Sequence, residues 1–142
     1  MSETIIPIEK IGGGTRDITS NFHFDTSKFT EVHAYLYEVG NIKLVSFFGI
    51  LDKTKYYRDG ADNAYRIRQL FTQNLSAEER QYLPKYTLRI PGNNNLTFTG
   101  HPNQAYLTIP KADYIYSGYE CLSDAGYAPD YNLDFSGFWI CN

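Results

Sequence analysis

Asp130, Asn132, Asp134 and Ser136 place oxygen-bearing side chains at every second position of DYNLDFS, the spacing with which a loop can surround a hard cation such as calcium. The ligand set then breaks. Phe135 stands where an EF-hand loop requires glycine, and Cys141 where it requires a bidentate glutamate. Read as a strand, the stretch uses every residue: Asp130, Asn132, Asp134 and Ser136 on a wet face, Tyr131, Leu133 and Phe135 on a core face. Neither a metal nor a cofactor is expected.

The three histidines, His23, His33 and His101, fall in separate segments without the i, i+4 or HExxH spacing that would set two on one helix face for zinc. No GxSxG elbow is present, and neither Cys121 nor Cys141 has a histidine beside it in sequence. Gly12-Gly13-Gly14 lacks the Lys-Ser/Thr of a phosphate-cradling loop. These patterns predict a protein that is not an enzyme. The alternative, a small enzyme or inhibitor with a dispersed site, requires a histidine to meet an Asp or Glu in one pocket. Arg66 and Arg68 could grip an anion, but they read as a solvated face.

Binding chemistry is better represented. Asn93, Asn94, Asn95, Tyr114, Tyr116, Tyr119, Tyr127 and Tyr131 concentrate aromatic and amide groups in the second half of the chain. Flat rings with amide neighbours can stack on a sugar and bond its hydroxyls, or form a polar protein contact. These are the candidate binding residues, for a protein or glycan partner.

The element around which the rest must be arranged is Phe29 to Leu51, read as a β-hairpin turning at Gly40-Asn41, residues that accept the positive φ of a tight turn. If Val39 faces Ile42, then Leu36 faces Val45, Ala34 faces Phe47 and Val32 faces Gly49 on a core side. On the other side, Tyr37 faces Leu44, Tyr35 faces Ser46 and His33 faces Phe48. That second face is apolar with polar tips, so His33, Tyr35, Tyr37 and Phe48 are candidate interface residues. It must be covered by a helix at Ala64 to Leu75 or by another subunit.

Other elements follow from period and punctuation. Residues 1–17 read as an N-terminal arm with a glycine hinge, and 18–142 as one domain. Asn21 to Asp25 alternates like a short strand. Ala64, Ile67, Leu70, Phe71 and Leu75 recur at helical spacing, which predicts a helical insertion over 61–83 whose second part starts at the capping box Ser76-Ala-Glu-Glu79. Tyr86 to Ile90 and Leu96 to Thr99 read as a second hairpin, followed by strands at Ala105 to Ile109, Tyr114 to Tyr119 and Asn132 to Cys141, the last with a bulge at Gly137. The expected fold is an antiparallel β-sandwich of about seven to nine strands.

Composition agrees. Aromatic residues make up 16% of 142 residues, with 13 Tyr, a bias toward sheets and contact surfaces. A formal charge of -3 and a pI near 5.5 give no basic field for nucleic acid. No apolar run suggests a signal peptide or a membrane span, so the chain is expected to be soluble, cytoplasmic at synthesis and without a membrane partner.

With Phe135, Phe138, Trp139 and Ile140 in the closing GFWICN and a glycine-hinged arm in front, the chain resembles the C-terminal domains of bacteriophage tail fibres and related virion proteins. The resemblance implies a multimeric structural or receptor-binding role without catalysis, a homo-oligomer, and association with a virion.

Overall fold

The Gly40-Asn41 turn forms with Gly40 at φ 59°, and the strands it joins, β2 (Phe29–Val39) and β3 (Ile42–Leu51), pair in the predicted register from Val39 opposite Ile42 to Glu31 opposite Ile50. The computed structural model describes residues 14–58, 65–92, 105–112, 121–123, 129 and 131–141. Strand β1 (Thr15–Asp17) pairs with the free edge of β2, and β9 (Leu133–Cys141) with that of β3, giving a four-stranded antiparallel sheet in the order β1-β2-β3-β9. Residues 15–17, expected at the end of the arm, thus belong to the sheet.

A second antiparallel sheet has five strands: β4 (Tyr57–Arg58), β5 (Tyr65–Ile67), β6 (Leu88–Pro91), β7 (Ala105–Ile109) and β8 (Cys121–Ser123), in the order β4-β5-β8-β7-β6. Its apolar residues Ile67, Ile90, Leu107 and Ile109 join Leu36, Val45, Phe47, Leu133 and Phe135 of the first sheet in one buried cluster. Period two explains why. Alternate residues of each strand point to one side, and the apolar set is the one turned inward. The chain is mainly β, and no helix among the described residues is long and apolar enough to cross a membrane.

Among the described residues of 61–83 the helical insertion does not form. Tyr65–Ile67 is strand β5, paired with Cys121–Ser123, and the helical turns among the described residues are 3-10 turns of three or four residues. Gln69 sits in the left-handed region at φ 57°, which interrupts any helix through it. Ile67, Leu70, Phe71 and Leu75 are all buried, but Ile67 enters the core from strand β5 and the other three from chain outside any helix or named strand. Tertiary burial accounts for the spacing that suggested a helix. The capping box does form: Ser76 N–H donates to Glu79 Oε1 at 2.8 Å and Glu79 N–H to Ser76 Oγ at 3.1 Å, in front of the 3-10 turn Glu79–Tyr82.

Three smaller expectations also change. Asn21 to Asp25 is no strand but the end of a 3-10 turn (Thr19–Phe22) followed by His23 at φ 51°; Phe24 makes a single bridge to Phe71. Strand β9 has no bulge, since its register with β3 is unbroken through Gly137 opposite Phe47. Gly137 has a close neighbour instead: a Cβ there would lie 3.2 Å from Ile90 Cδ1, where β6 comes against β9. Tyr131 is 59% exposed and outside the core. The strand at Tyr86 to Ile90 appears as β6, paired with β7; the expected strands at 96–99 and 114–119 lie outside the described residues.

Candidate functional site

Two surfaces carry recognisable chemistry. The first is the outer face of the four-stranded sheet, whose rows follow from the register. Val39 lies beside Ile42; Thr15, Tyr37, Leu44 and Ile140 form the next row, and Asp17, Tyr35, Ser46 and Phe138 the one after. His33, Phe48 and Ser136 follow, then Glu31, Ile50 and Asp134. Exposure is 39% for Val39, 55% for Ile42, 69% for Phe138 and 61% for Ile140. These four are neighbours on one face, which distinguishes them from singly scattered surface hydrophobics.

The candidate interface residues His33, Tyr35, Tyr37 and Phe48 are all brought to this face, half-buried. His33 stacks on Tyr35 with ring centroids 6.1 Å apart, and its Nε2 lies 3.0 Å from Glu31 Oε1. The segment expected to cover the face does not. Leu70 and Phe71 are buried in the core with Phe22, Phe24 and Phe47.

The second surface is a polar groove of about 680 Å³ between Arg16–Asn21 and the segment from Ser76 to Tyr82. Long-range bonds fix its two walls. Asn21 Nδ2 donates to the Glu79 carbonyl at 2.9 Å, and Arg16 Nη2 donates to Tyr82 Oη at 2.6 Å with the guanidinium 5.8 Å from the Tyr82 ring centroid. Trp139 Nε1 donates to the Tyr82 carbonyl at 2.7 Å. At the groove's edge His23 Nε2 lies 2.5 Å from Glu79 Oε2, a carboxylate that lines the groove.

The Ser76 N–H, followed by His23, holds the Glu79 carboxyl below the ordinary glutamate range. The Thr19 hydroxyl and then its N–H do the same for Asp17. His23 Nε2 is bonded to the Glu79 carboxylate, and the pair braces the groove wall.

Tyr131 of the candidate binding residues is exposed on the loop before β9. Asn93, Asn94, Asn95, Tyr114, Tyr116, Tyr119 and Tyr127 lie outside the described residues. Asn132, one of the calcium-like oxygens, accepts the Lys53 N–H at 2.9 Å, and no group of three or more His, Cys, Asp or Glu among the described residues is placed to hold a metal ion. Cys141 is a free, buried thiol whose burial pushes its pKa up. Sequence reasoning missed Ile42, Phe138 and Ile140 as surface residues and the whole groove. The available signal for the first was that the last strand is apolar at even and odd positions alike.

No family model matches the chain, and no curated protein matches it.

Proposed function

We propose that the protein is a non-enzymatic β-sandwich module of a multimeric assembly, in a structural or receptor-binding role of the kind a virion or tail-fibre component plays, and that it associates with further copies of itself through the outer face of its four-stranded sheet. The adjacency of Val39, Ile42, Phe138 and Ile140 on that face carries the reading. A shared core between the two sheets supports the sandwich.

Charge favours a second copy as occupant. The rows nearest the hairpin turn hold Val39, Ile42, Tyr37, Leu44 and Ile140 with no ionisable acid or base among the aliphatic residues, so they can meet their own image without like-charge repulsion. The Phe138 row ends in Asp17 at the β1 edge and the far rows hold Glu31 and Asp134, and each of these carboxylates would repel its own image. Pairing is therefore confined to the turn half. The turn half, four strands ~4.8 Å apart and roughly four residues long, gives a projected area on the order of 250 Å², well below the ~800 Å² per partner of a standard interface, so association depends on concentration.

Sedimentation velocity over a wide concentration range tests this. The expected result is a mass that rises with concentration, and that returns to the monomer in Phe138→Ser/Ile140→Thr, whose exposed side chains leave the core intact. A strict monomer at the highest concentration overturns the reading.

A further inference from the structure

The groove between β1 and the Ser76–Tyr82 segment has no part in the assembly reading, and its chemistry is of another kind. We propose that it binds a neutral saccharide. Its volume of about 680 Å³ falls within the ~300–1,000 Å³ typical of small-ligand sites. Its lining, however, is polar: guanidinium, carboxamide, hydroxyl and carboxylate groups around the one aromatic ring of Tyr82.

That mixture selects the ligand. An apolar molecule would strip water from these groups without replacing its hydrogen bonds. An anion would meet the carboxylates of Asp17, Glu78 and Glu79 against the single guanidinium of Arg16. A sugar hydroxyl donates and accepts at once, so it satisfies a carboxylate and a carboxamide or guanidinium together. Among the described residues, the side chains of Ser20, Glu78 and Gln81 have no hydrogen-bond or ion-pair partner, so their capacity is available.

The groove is also held in shape before any ligand arrives. Arg16 to Tyr82, Asn21 to the Glu79 carbonyl, and the Ser76 and His23 contacts of Glu79 all cross or brace it. Walls already ordered lose little further freedom on binding, which matters most for a shallow polar site. Arg16 shares the inward parity of Leu36, whereas Tyr35 and Tyr37 face outward. Of the groove's lining only Asp17 stands in an outer-face row, opposite Tyr35 at the β1 edge, so pairing through the outer face leaves the rest of the groove accessible.

The test is an amide-resolved NMR titration of the intact protein with maltotriose, cellotriose, xylotriose and chitotriose, each at about 10 mM, above the millimolar Kd expected of a shallow site. Spermidine serves as the cationic control. At least one sugar should shift the amides of Ser20, Asn21, Glu79 and Gln81 saturably, and Glu78→Ala or Gln81→Ala should weaken that binding about tenfold or more, or roughly 1.4 kcal/mol per tenfold, with the remaining spectrum unchanged. Those two side chains have no partners, so their removal does not threaten the fold. Absence of shifts with every sugar, shifts located elsewhere, unchanged affinity in both variants, or response to spermidine alone would each overturn the proposal. None of these outcomes depends on the oligomeric state.

Discussion

Trp139 and Tyr82, 57 residues apart in sequence, are joined by an indole N–H to carbonyl hydrogen bond of 2.7 Å. Tyr82 in turn accepts from Arg16 on the opposite edge strand of the sheet, so one 3-10 turn spans the inner face from β9 to β1. Trp139→Phe keeps an aromatic ring but leaves the Tyr82 carbonyl without this donor and the site underfilled. The expected loss is about 2 to 3 kcal/mol in urea unfolding. Trp139 is the chain's one tryptophan, so the variant is followed by far-ultraviolet circular dichroism.

Gly137 should resist even the smallest side chain. A Cβ would come within 3.2 Å of Ile90 Cδ1 and 3.3 Å of its Cγ1. Gly137→Ala should therefore cost about 1 to 3 kcal/mol by overpacking. Ile90→Val removes Cδ1, and in the double variant part of that loss should return. Additive losses in denaturant melts would show instead that the glycine serves the backbone.

The Glu79 carboxylate holds the Ser76 N–H and the His23 ring at once, so His23→Ala should lower the melting temperature and should not add fully to Glu79→Gln. A thermal double-mutant cycle reads the coupling, and full additivity would mean that the two side chains do not act as a unit. Ser76→Ala removes the other half of the capping box, the hydroxyl that accepts the Glu79 N–H, and should lower the melting temperature on its own account.

Acid should weaken the protein in a defined window. Asp17, Asp25 and Asp52 each accept both the N–H and the hydroxyl of the Ser or Thr two residues on, and all three titrate below the ordinary aspartate range, as Glu79 does below that of glutamate. The folded state therefore binds fewer protons than the unfolded state near pH 4. The stabilisation is complete above the unfolded values of about 3.9 and 4.3 and is lost as pH falls through the lower folded values. Thermal melts should be level between about pH 5 and 7 and decline below about pH 4. Asp17→Asn, Asp25→Asn and Asp52→Asn should each flatten that decline.

The hairpin was legible because two independent signals agreed. A Gly-Asn turn set the register, and period two assigned each face. Where one signal stood alone it misled. The spacing of Ile67, Leu70, Phe71 and Leu75 fits a helix, yet the same residues reach the core from a strand and a left-handed kink at Gln69. Gly137 looked like a bulge because its close neighbour, Ile90, is 47 residues away in sequence. The groove was invisible for the same reason: its walls come from residues 16–21 and 76–82, and no local pattern joins them.

Strands β1 and β9 bound the same sheet on opposite edges and also reach the same end of it: Thr15 lies opposite Tyr37, and Cys141 opposite Lys43, one row away. Three strand spacings of ~4.8 Å separate them, about 14 Å. Tension applied between these two strands acts across the ladder, so hydrogen bonds are loaded one after another instead of together in shear. β1, with three paired residues against nine in β9, peels away first. The fold therefore yields to pulling gradually and from one side, and fusions attached at either strand would both emerge beside the Gly40-Asn41 turn.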